Sequence, residues 1–316
     1  MSTQKFIVQV HGGAWDIPKS LIEPHRKGVM AARAKSLEVL GQGCHPLNAV
    51  AETLAVMEND PTFDAGHGSF LNENGEVELD AAIMEGATLR TGSVCCLSSF
   101  ENPGRIALAV LRKTEHVLLA GKGAEIFALK QGFRKVDSRS LIHPREILAF
   151  EAWVAAGKPD AKIFFAKPEN NSLAGATPEK RGTVGVTIGV LNNSGKYNLF
   201  AGTSTGGTPG KMAGRVGDVP LVGCGFYADN EGAAVSCTGW GEGLARIVAA
   251  KSVSDLCRAG QHPQQAIEAV LRDMYRRTGG RGGLIAVDFL GRTGAGYSTP
   301  EMAFSGETAL PTSVLI

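Results

Sequence analysis

The cysteines and histidines of this 316-residue sequence lack the spacings of metal or redox centres. No pair of the six cysteines has Cys-x-x-Cys spacing, and the seven histidines form no His-Glu-x-x-His motif. A catalytic transition metal is therefore not expected, and catalysis is predicted to need no cofactor. Because the cysteines lie mostly within apolar stretches, we expect reduced, buried thiols in a cytoplasmic protein.

The chain also lacks an excess of charge and long hydrophobic runs. Its 32 basic and 31 acidic residues leave a formal net charge of +1, without a long run of either sign. This balance argues against partners such as nucleic acid or a membrane surface. No run approaches the roughly 18 apolar residues of a membrane helix. The short apolar stretch near the N-terminus is expected to be a first strand and not a signal peptide, since no small-residue cleavage site follows it.

The hydrophobic residues, 43% of the chain, are sufficient for a large core in one big domain or two small ones. Their periodicity predicts helices at 22–40, 46–58, 103–113, 123–131, 144–156, 242–256 and 263–277. It predicts strands at 6–10, 77–84, 92–97, 116–119, 183–191, 197–203, 221–226, 233–237, 284–289 and 294–298. His11–Trp15 is turn-prone. Residues 157–182 are polar and contain prolines, which is typical of a linker between domains or before an internal processing site.

Residues 182–190, Gly-Thr-Val-Gly-Val-Thr-Ile-Gly-Val, are the most informative stretch. Cleavage between Gly182 and Thr183 would leave Thr183 at the head of a buried strand, with a hydroxyl nucleophile and a free α-amine on one residue. An α-amine titrates near about pH 7.7–8.0 in model peptides, so it can accept the hydroxyl proton at neutral pH. The same pattern also begins many ordinary strands, so the motif alone leaves both interpretations open.

A hairpin is predicted to bring further hydroxyls to Thr183. Asn192–Gly195 joins two apolar runs and has the composition of a tight turn. A turn centred in the middle of this segment places Thr183 opposite Ser204, and directly opposite residues have Cβ atoms only about 5 Å apart. The cluster Thr203–Thr205 is therefore expected beside the candidate nucleophile.

Two more segments carry polar groups suited to a small substrate. Thr238–Gly241 lies between a predicted strand and the predicted helix 242–256, where unpaired helix N–H groups suit an oxyanion. Arg215 suits a carboxylate, and Asp218 suits an ammonium group, so together they suit an α-amino acid. The alternative is that these two residues pair with each other at the surface.

Gly210 and Lys211 suggest a nucleotide-binding Walker loop, but the pattern is broken. Thr205 stands where that loop needs a glycine, and Met212 stands where Ser or Thr would hold magnesium. A nucleotide-dependent enzyme is therefore not expected from these residues.

Five motifs occur in order within about 60 residues of the second half of the chain. They are Gly182-Thr-Val-Gly185, Thr203-Ser-Thr-Gly-Gly207, Gly214-Arg-Val-Gly-Asp218, Pro220-Leu-Val-Gly223 and Ser236-Cys-Thr-Gly-Trp-Gly-Glu242. Further matching segments are His11–Trp15, Asp64–Gly68, Leu79–Ala82, Met84–Gly86 and Gly282–Ile285. Through these motifs nearly the whole chain resembles the isoaspartyl peptidase/L-asparaginase family, the plant-type threonine asparaginases among the N-terminal-nucleophile hydrolases.

The resemblance implies an α+β fold, a four-layer αββα sandwich made as a precursor that cleaves itself before Thr183. Residues 1–182 would form an α subunit, with a flexible linker over about 157–182, and residues 183–316 a β subunit, together one structural domain. Two such pairs are expected to form a dimer. The implied reaction is hydrolysis of the side-chain amide of L-asparagine and of β-aspartyl dipeptides through a β-aspartyl ester on the threonine.

The resemblance also implies the roles of individual residues. They are Thr183 as nucleophile, Thr205 as accessory hydroxyl, Thr238 and Gly239 as oxyanion hole, Arg215 for the α-carboxylate, and Asp218 with the Gly241 carbonyl for the α-ammonium. A structural sodium is expected on backbone carbonyls of about 55–68. Three residues, Trp240, Asp64 and His67, depart from the family pattern and are expected to affect side-chain preference beyond the reacting amide.

Two other functions stay open on the sequence. A glycosylasparaginase shares the threonine nucleophile but works in lysosomes or on exported substrates, and this chain shows no secretion signal. A small-molecule binding homologue would keep Arg215 and Asp218 but would never cleave itself. The mass of the purified chain would distinguish such a binding protein, since it would stay at full length.

Overall fold

A computed structural model describes residues 5–159, 182–308 and 310–316, which form helices and two β-sheets. The described helices are α1 (Lys19–Gly41), α2 (Pro46–Glu58), α3 (Pro103–Lys113), α4 (Gly121–Lys130), α5 (Pro144–Ala155), α6 (Gly241–Arg246), α7 (Ala249–Arg258) and α8 (Pro263–Thr278). The described strands are β1 (Phe6–Trp15), β2 (Leu79–Glu85), β3 (Thr91–Leu97), β4 (Leu118–Ala120), β5 (Val184–Leu191), β6 (Tyr197–Thr205), β7 (Phe226–Tyr227), β8 (Ala233–Gly239), β9 (Gly282–Asp288), β10 (Thr293–Tyr297), β11 (Glu301–Ser305) and β12 (Thr312–Ser313). The mixed α and β content agrees with the expected α+β class.

The two sheets are mainly antiparallel. The first has the strand order β11-β1-β5-β6-β2-β3-β4, and the second has the order β12-β10-β9-β8-β7. Only the pairs β3/β4 and β10/β12 run parallel among the described strands. The hairpin of β5 and β6 therefore lies at the centre of the first sheet, with β1 and β2 on its two sides.

The side chains of the first sheet alternate between two packing surfaces. Val8 and Val10 of β1 belong to the core shared with helices α1 and α2, whereas Ile7, the residue before Val8, packs with residues of the second sheet. This is the two-residue period of a strand that is buried on both faces. Helices α1 to α3 contact the first sheet, and α7 and α8 contact the second. Polar residues on the face between the sheets are consequently buried, and the candidate site lies on that face.

The turn predicted at His11–Trp15 is wrong, because β1 continues through this segment. The register between β1 and β11 shifts between His11 and Ala14, which marks a β-bulge. Gly13 adopts a φ of 108°, a value open to glycine but strained for other residues. The two adjacent glycines thus allow the strand to bend without ending.

The strand predicted at 221–226 is wrong, and the helix predicted at 242–256 is divided into two helices. Val248 adopts a left-handed φ of 52° and separates α6 from α7 where a single helix was expected. The apolar run before Phe226 forms successive turns, with backbone hydrogen bonds from Leu221 to Asp218 and from Cys224 to Leu221. Strands β11 and β12 were not predicted.

Three further predictions concern the linker, membrane-spanning helices and the cysteines. Residues 160–181, most of the linker predicted at 157–182, lie outside the described residues. Among the described helices, none combines the length and the hydrophobicity needed to cross a membrane. The six cysteines are all free thiols, of which three are buried, two are partly exposed and Cys44 is exposed.

Candidate active site

The β5/β6 hairpin brings the hydroxyls of Thr183 and Thr205 together. Strand pairing matches Val184 with Ser204, so Thr183 lies beside Thr205 and not opposite Ser204 as predicted. The difference of one residue matters, because neighbouring residues on a strand point to opposite faces. Thr183 and Thr205 both point between the two sheets, while Ser204 points to the buried carboxyl of Glu58 on α2.

A chain of hydrogen bonds links the Thr183 hydroxyl to a carboxylate. Thr183 Oγ1 donates to Thr205 Oγ1 at 3.1 Å, and Thr205 Oγ1 donates to Asp64 Oδ2 at 3.2 Å. The backbone N–H of Gly207 also donates to Thr205 Oγ1, at 3.0 Å. Asp64 is held in turn by the N–H of Phe70, which donates to its other oxygen at 3.0 Å. The carboxylate orients the Thr205 proton towards itself, so the Thr205 oxygen is available to accept the hydrogen bond from Thr183.

The bond between Gly182 and Thr183 lies against the bulge of β1. A Cβ atom built on Gly13 would lie 2.8 Å from the Cα of Gly182, and one built on Gly182 would lie 2.6 Å from the Cα of Gly13. Side-chain carbon atoms do not approach backbone this closely. Glycine is therefore required at both positions for this contact between the two segments.

A buried histidine supports the main chain on the other side of Thr183. His11 Nδ1 lies 3.1 Å from the Thr183 carbonyl oxygen, and Nε2 lies 2.7 Å from Ser236 Oγ. Complete burial lowers the pKa of His11 to about 3, so the ring is neutral. With one ring proton, the tautomer that satisfies both contacts donates from Nδ1 to the carbonyl and accepts the Ser236 hydroxyl at Nε2.

One small pocket is lined by most of the predicted site residues. It is lined by Thr183, Thr205, Gly207, Thr208, Arg215, Gly217, Asp218, Gly239 and Gly241. The candidate nucleophile therefore shares one pocket with the candidate clamp for an amino acid.

Arg215 and Asp218 form no ion pair with each other among the described contacts. Arg215 instead pairs with Glu242, whose Oε1 lies 2.9 Å from Nε and 2.8 Å from Nη2. Asp218 is buried, and its Oδ2 has no hydrogen-bond partner in the described part of the chain. Burial raises the pKa of Asp218 to about 7, although the positive charge of Arg215 acts in the opposite direction. A Cβ on Gly241 would lie 2.8 Å from Asp218 Oδ1, so glycine leaves these groups accessible.

Thr238 and Gly239 lie at the end of β8, beside the same pocket. The Thr238 hydroxyl is buried and has no hydrogen-bond partner among the described residues, which is unusual for a buried polar atom. Gly239 has a φ of 126° and packs so tightly on β9 that a Cβ would lie 2.4 Å from Gly282 Cα. Because α6 has only six residues, the free hydroxyl is a stronger indication of anion binding here than the helix terminus.

Comparison with known proteins agrees with this geometry. Residues 3–313 match the sequence profile described as asparaginase. The chain is 38% identical to the isoaspartyl peptidase/L-asparaginase of Xenopus laevis, over 95% of this chain and 92% of that protein. It is 34% identical to the isoaspartyl peptidase of Escherichia coli (strain K12), over 96% of this chain and 94% of that protein. The chain belongs to the isoaspartyl peptidase/L-asparaginase family. The resemblance drawn from the motifs is thus confirmed.

The three departures from the pattern of the isoaspartyl peptidase/L-asparaginase family have different surroundings. The ring of Trp240 lies under the guanidinium of Arg246. It also packs so closely on Gly243 that a Cβ atom built there would lie 2.8 Å from it. Trp240 is not among the residues that line the pocket. His67 faces His143, with 5.9 Å between the ring centres, and is also absent from the pocket lining. Asp64 accepts a hydrogen bond from Thr205, a predicted site residue.

The sequence did not identify several residues that contact the candidate active site. His11 and Gly13 appeared only within a motif, and Glu242 had no role. Their contacts join segments far apart in the chain, such as His11 with Thr183, 172 residues later. The pairing of β1 with β5 brings His11 beside Thr183, whereas Glu242 is recognised by its contact with Arg215.

Proposed function

We propose that this chain is a self-cleaving amidohydrolase that acts on L-asparagine and on β-aspartyl dipeptides. The observation that carries the proposal is the pocket in which the Thr183 hydroxyl meets Arg215 and Asp218. The relatives named isoaspartyl peptidase/L-asparaginase support the choice of substrates.

Self-cleavage would precede hydrolysis, because the nitrogen of Thr183 is an amide in the intact chain. Thr183 Oγ1 attacks the carbonyl carbon of Gly182, the C–N bond breaks, and the Thr183 nitrogen takes up a proton. Water then hydrolyses the resulting ester, which leaves Thr183 with a free amine and Gly182 with a carboxylate. The contact of Gly13 with Gly182 and that of His11 with the Thr183 carbonyl would hold the two sides of this bond in place.

In the mature enzyme, the Thr183 amine accepts the proton of its own hydroxyl as the oxygen attacks the side-chain carbonyl of the substrate. The Thr238 hydroxyl and the Gly239 N–H would stabilise the tetrahedral anion, and one such donor is worth about 2.7–4 kcal/mol in other hydrolases. Ammonia or the downstream amino acid leaves with the proton. Water then hydrolyses the β-aspartyl ester and regenerates the Thr183 hydroxyl.

Substrate binding would complete the polar groups that the pocket leaves unpaired. The α-carboxylate would bind the Arg215 guanidinium and share it with Glu242, since both carboxylates approach the same N–H groups. The α-ammonium would bind Asp218 Oδ2 and the Gly241 carbonyl. A bound ammonium favours the ionised carboxylate, so substrate lowers the pKa of Asp218 from its raised value.

We further infer the finer architecture from the same resemblance. The helices on the outer faces of both sheets support a four-layer αββα sandwich, with residues 1–182 as α subunit and 183–316 as β subunit of one domain. A dimer of such pairs, without nucleic-acid or membrane partners, is the proposed assembly. The free cysteines support a reducing, cytoplasmic location.

A structural sodium at residues 55–68, the last turn of α2 and the segment after it, fits the donor type found there. A Cβ on Gly66 would lie 2.4 Å from the Glu58 carbonyl oxygen and 2.8 Å from that of Glu101, so carbonyls converge at this glycine. The Arg145 guanidinium already donates to the Pro61 carbonyl, so the loop carries some positive charge without an ion. We propose a weak structural site, which predicts a higher melting temperature in sodium chloride than in choline chloride of equal ionic strength. Equal melting temperatures would contradict it.

The proposed activity is tested by assaying the purified protein with β-aspartyl-leucine, asparagine and glycosylated asparagine. We expect hydrolysis of the first two, with loss of both activities in Thr183→Ala. Turnover of glycosylated asparagine alone would support a glycosylasparaginase. A chain of full length that binds aspartate but hydrolyses none of the three would be a binding protein.

A further inference from the structure

A second polar cluster lies in the first sheet, close to the candidate active site but outside its pocket. It consists of Asp80 on β2 with Cys95 and Cys96 on β3, and one ligand atom from each residue lies within 4.8 Å of the other two. Asp80 pairs directly with Thr205 on the neighbouring strand β6. The proposed hydrolysis makes no use of these three side chains.

A β-bulge brings both thiols to the same carboxylate. On a regular strand, consecutive cysteines would point to opposite faces of the sheet. The register between β2 and β3 shifts at this point, so that Asp80 alone faces both Cys95 and Cys96. Cys96 adopts a left-handed φ of 55°, a conformation that is strained for a residue other than glycine. The strained conformation of Cys96 is therefore part of the bulge that brings the three side chains together.

The carboxylate of Asp80 has an oxygen without a partner. The side chain is fully buried, and Oδ1 accepts a hydrogen bond of 2.9 Å from the N–H of Cys96. Oδ2 has no hydrogen-bond partner among the described residues. The nearby Lys211 is engaged elsewhere, since its Nζ donates to the Glu78 carbonyl at 2.9 Å. Lys211 and Arg215 also act on the Asp80 charge from nearby, and the unpartnered oxygen beside two thiols is a set of donor atoms that a further cation can complete.

We propose that Asp80, Cys95 and Cys96 bind a thiophilic divalent ion of the zinc class. Zinc binds thiolate at about 2.3 Å and carboxylate at about 2.0–2.2 Å, and three protein ligands leave its fourth position to water. Calcium and magnesium prefer all-oxygen sites, so the two thiolates select against them. Cys96 is partly exposed and lines a surface pocket with Glu78 and Ser98, which gives the ion a route to the site.

The test is a metal titration of the full chain after reduction with a phosphine and removal of metal with a chelator. We expect one Zn²⁺ or Cd²⁺ per chain by calorimetry, and a thiolate-to-metal charge-transfer band in the ultraviolet with Cd²⁺. Cys96→Ser and Asp80→Asn should each weaken binding at least about tenfold, since even residues behind metal ligands typically contribute that much. Cys44→Ser, which removes the exposed thiol, is the matched control and should bind as the wild type does.

Two results would overturn the proposal. One is that the reduced wild-type chain takes up neither ion. The other is that Cys96→Ser, with an unchanged circular dichroism spectrum, binds Cd²⁺ as tightly as wild type and keeps the same charge-transfer band. The wild-type titration decides by itself if a variant does not fold.

Discussion

The two parts of the candidate site differ in how completely their polar groups are paired. At the nucleophile, the hydroxyls of Thr183 and Thr205 form a continuous chain to the carboxylate of Asp64. In the candidate substrate clamp, Asp218 Oδ2 is buried without a partner in the described structure, and so is Thr238 Oγ1 of the candidate oxyanion hole. Groups proposed to align the nucleophile are thus paired within the protein, whereas groups proposed to bind the substrate or its tetrahedral anion have no partner in the described structure.

This difference has an energetic consequence. A paired hydroxyl chain adds to stability, while each unpartnered buried polar group costs about 1–3 kcal/mol. Removing a hydroxyl of the paired chain should therefore slow the reaction without stabilising the protein. Removing an unpartnered buried group should weaken substrate binding and stabilise the protein without substrate. The following predictions test the comparison, beginning with the largest expected effect.

Replacement of the nucleophile should abolish both reactions. We expect Thr183→Ala to stay at full length and to lose activity by a factor on the order of 10⁶, as for nucleophile removal in other hydrolases. Thr187→Val is the matched control, since Thr187 lies on the same strand and its buried hydroxyl has no partner among the described residues. The control should cleave itself normally. A processed, active Thr183→Ala protein would refute the role of Thr183.

Replacement of the clamp carboxylate should separate affinity from stability. We expect Asp218→Asn to cleave itself normally but to lose about 100-fold in kcat/KM, because the substrate ammonium loses its charged partner. The folded pKa of about 7 lies above the unfolded value of 3.8, so ionised Asp218 destabilises the native state as pH rises through this range. The variant should therefore melt at a higher temperature than wild type at pH 8, with the difference shrinking towards pH 4.

Asp229→Asn is the control for the clamp variant. Asp229 is equally buried but is paired with Arg258. Its replacement should lower the melting temperature and leave kcat/KM unchanged. A fall in melting temperature for Asp218→Asn as well would contradict the claim that the buried Asp218 carboxylate destabilises the protein without substrate.

Replacement of the carboxylate behind the nucleophile should have a smaller effect. Asp64→Asn keeps the shape of the side chain but removes the charge that orients Thr205. We expect self-cleavage and kcat to slow by about tenfold, with KM little changed; this is less than the roughly 10²–10⁴-fold effect of groups that transfer the proton themselves. Equal rates in variant and wild type would show that the contact is only structural.

The pH dependence of kcat/KM should reveal the protonation of Asp218 directly. Since kcat/KM reflects the free enzyme, it should fall as pH decreases through about 7, where Asp218 takes up a proton and loses its attraction for ammonium. The Asp218→Asn variant should lack this part of the profile while it keeps the part due to the Thr183 amine. Identical profiles for the two proteins would assign the whole dependence to the amine.

Much of the clamp was predicted from sequence, whereas the surroundings of the nucleophile were predicted less well. Arg215, Asp218 and Gly241 occur in a short glycine-rich region, and local motifs were sufficient to find them. The position of Thr205 depends on hairpin register, and an error of one residue in the turn selected Ser204, which points to the other face.

The features that the sequence did not predict depend on pairing between distant segments. The bulge at Gly13 is visible only when β1 is paired with β11, and the grouping of Asp80 with two cysteines only when β2 is paired with β3. A strand pattern shows that residues alternate, but not where an extra residue interrupts the alternation. These contacts therefore required the three-dimensional structure.

The central claim, that Thr183 becomes a free N-terminal nucleophile, is tested most directly by the intact mass of the purified wild-type protein after incubation at neutral pH. The account predicts two fragments that divide the chain between Gly182 and Thr183, and a single full-length mass for Thr183→Ala under the same conditions. A wild-type protein that stays at full length, or that divides at another bond, would contradict it.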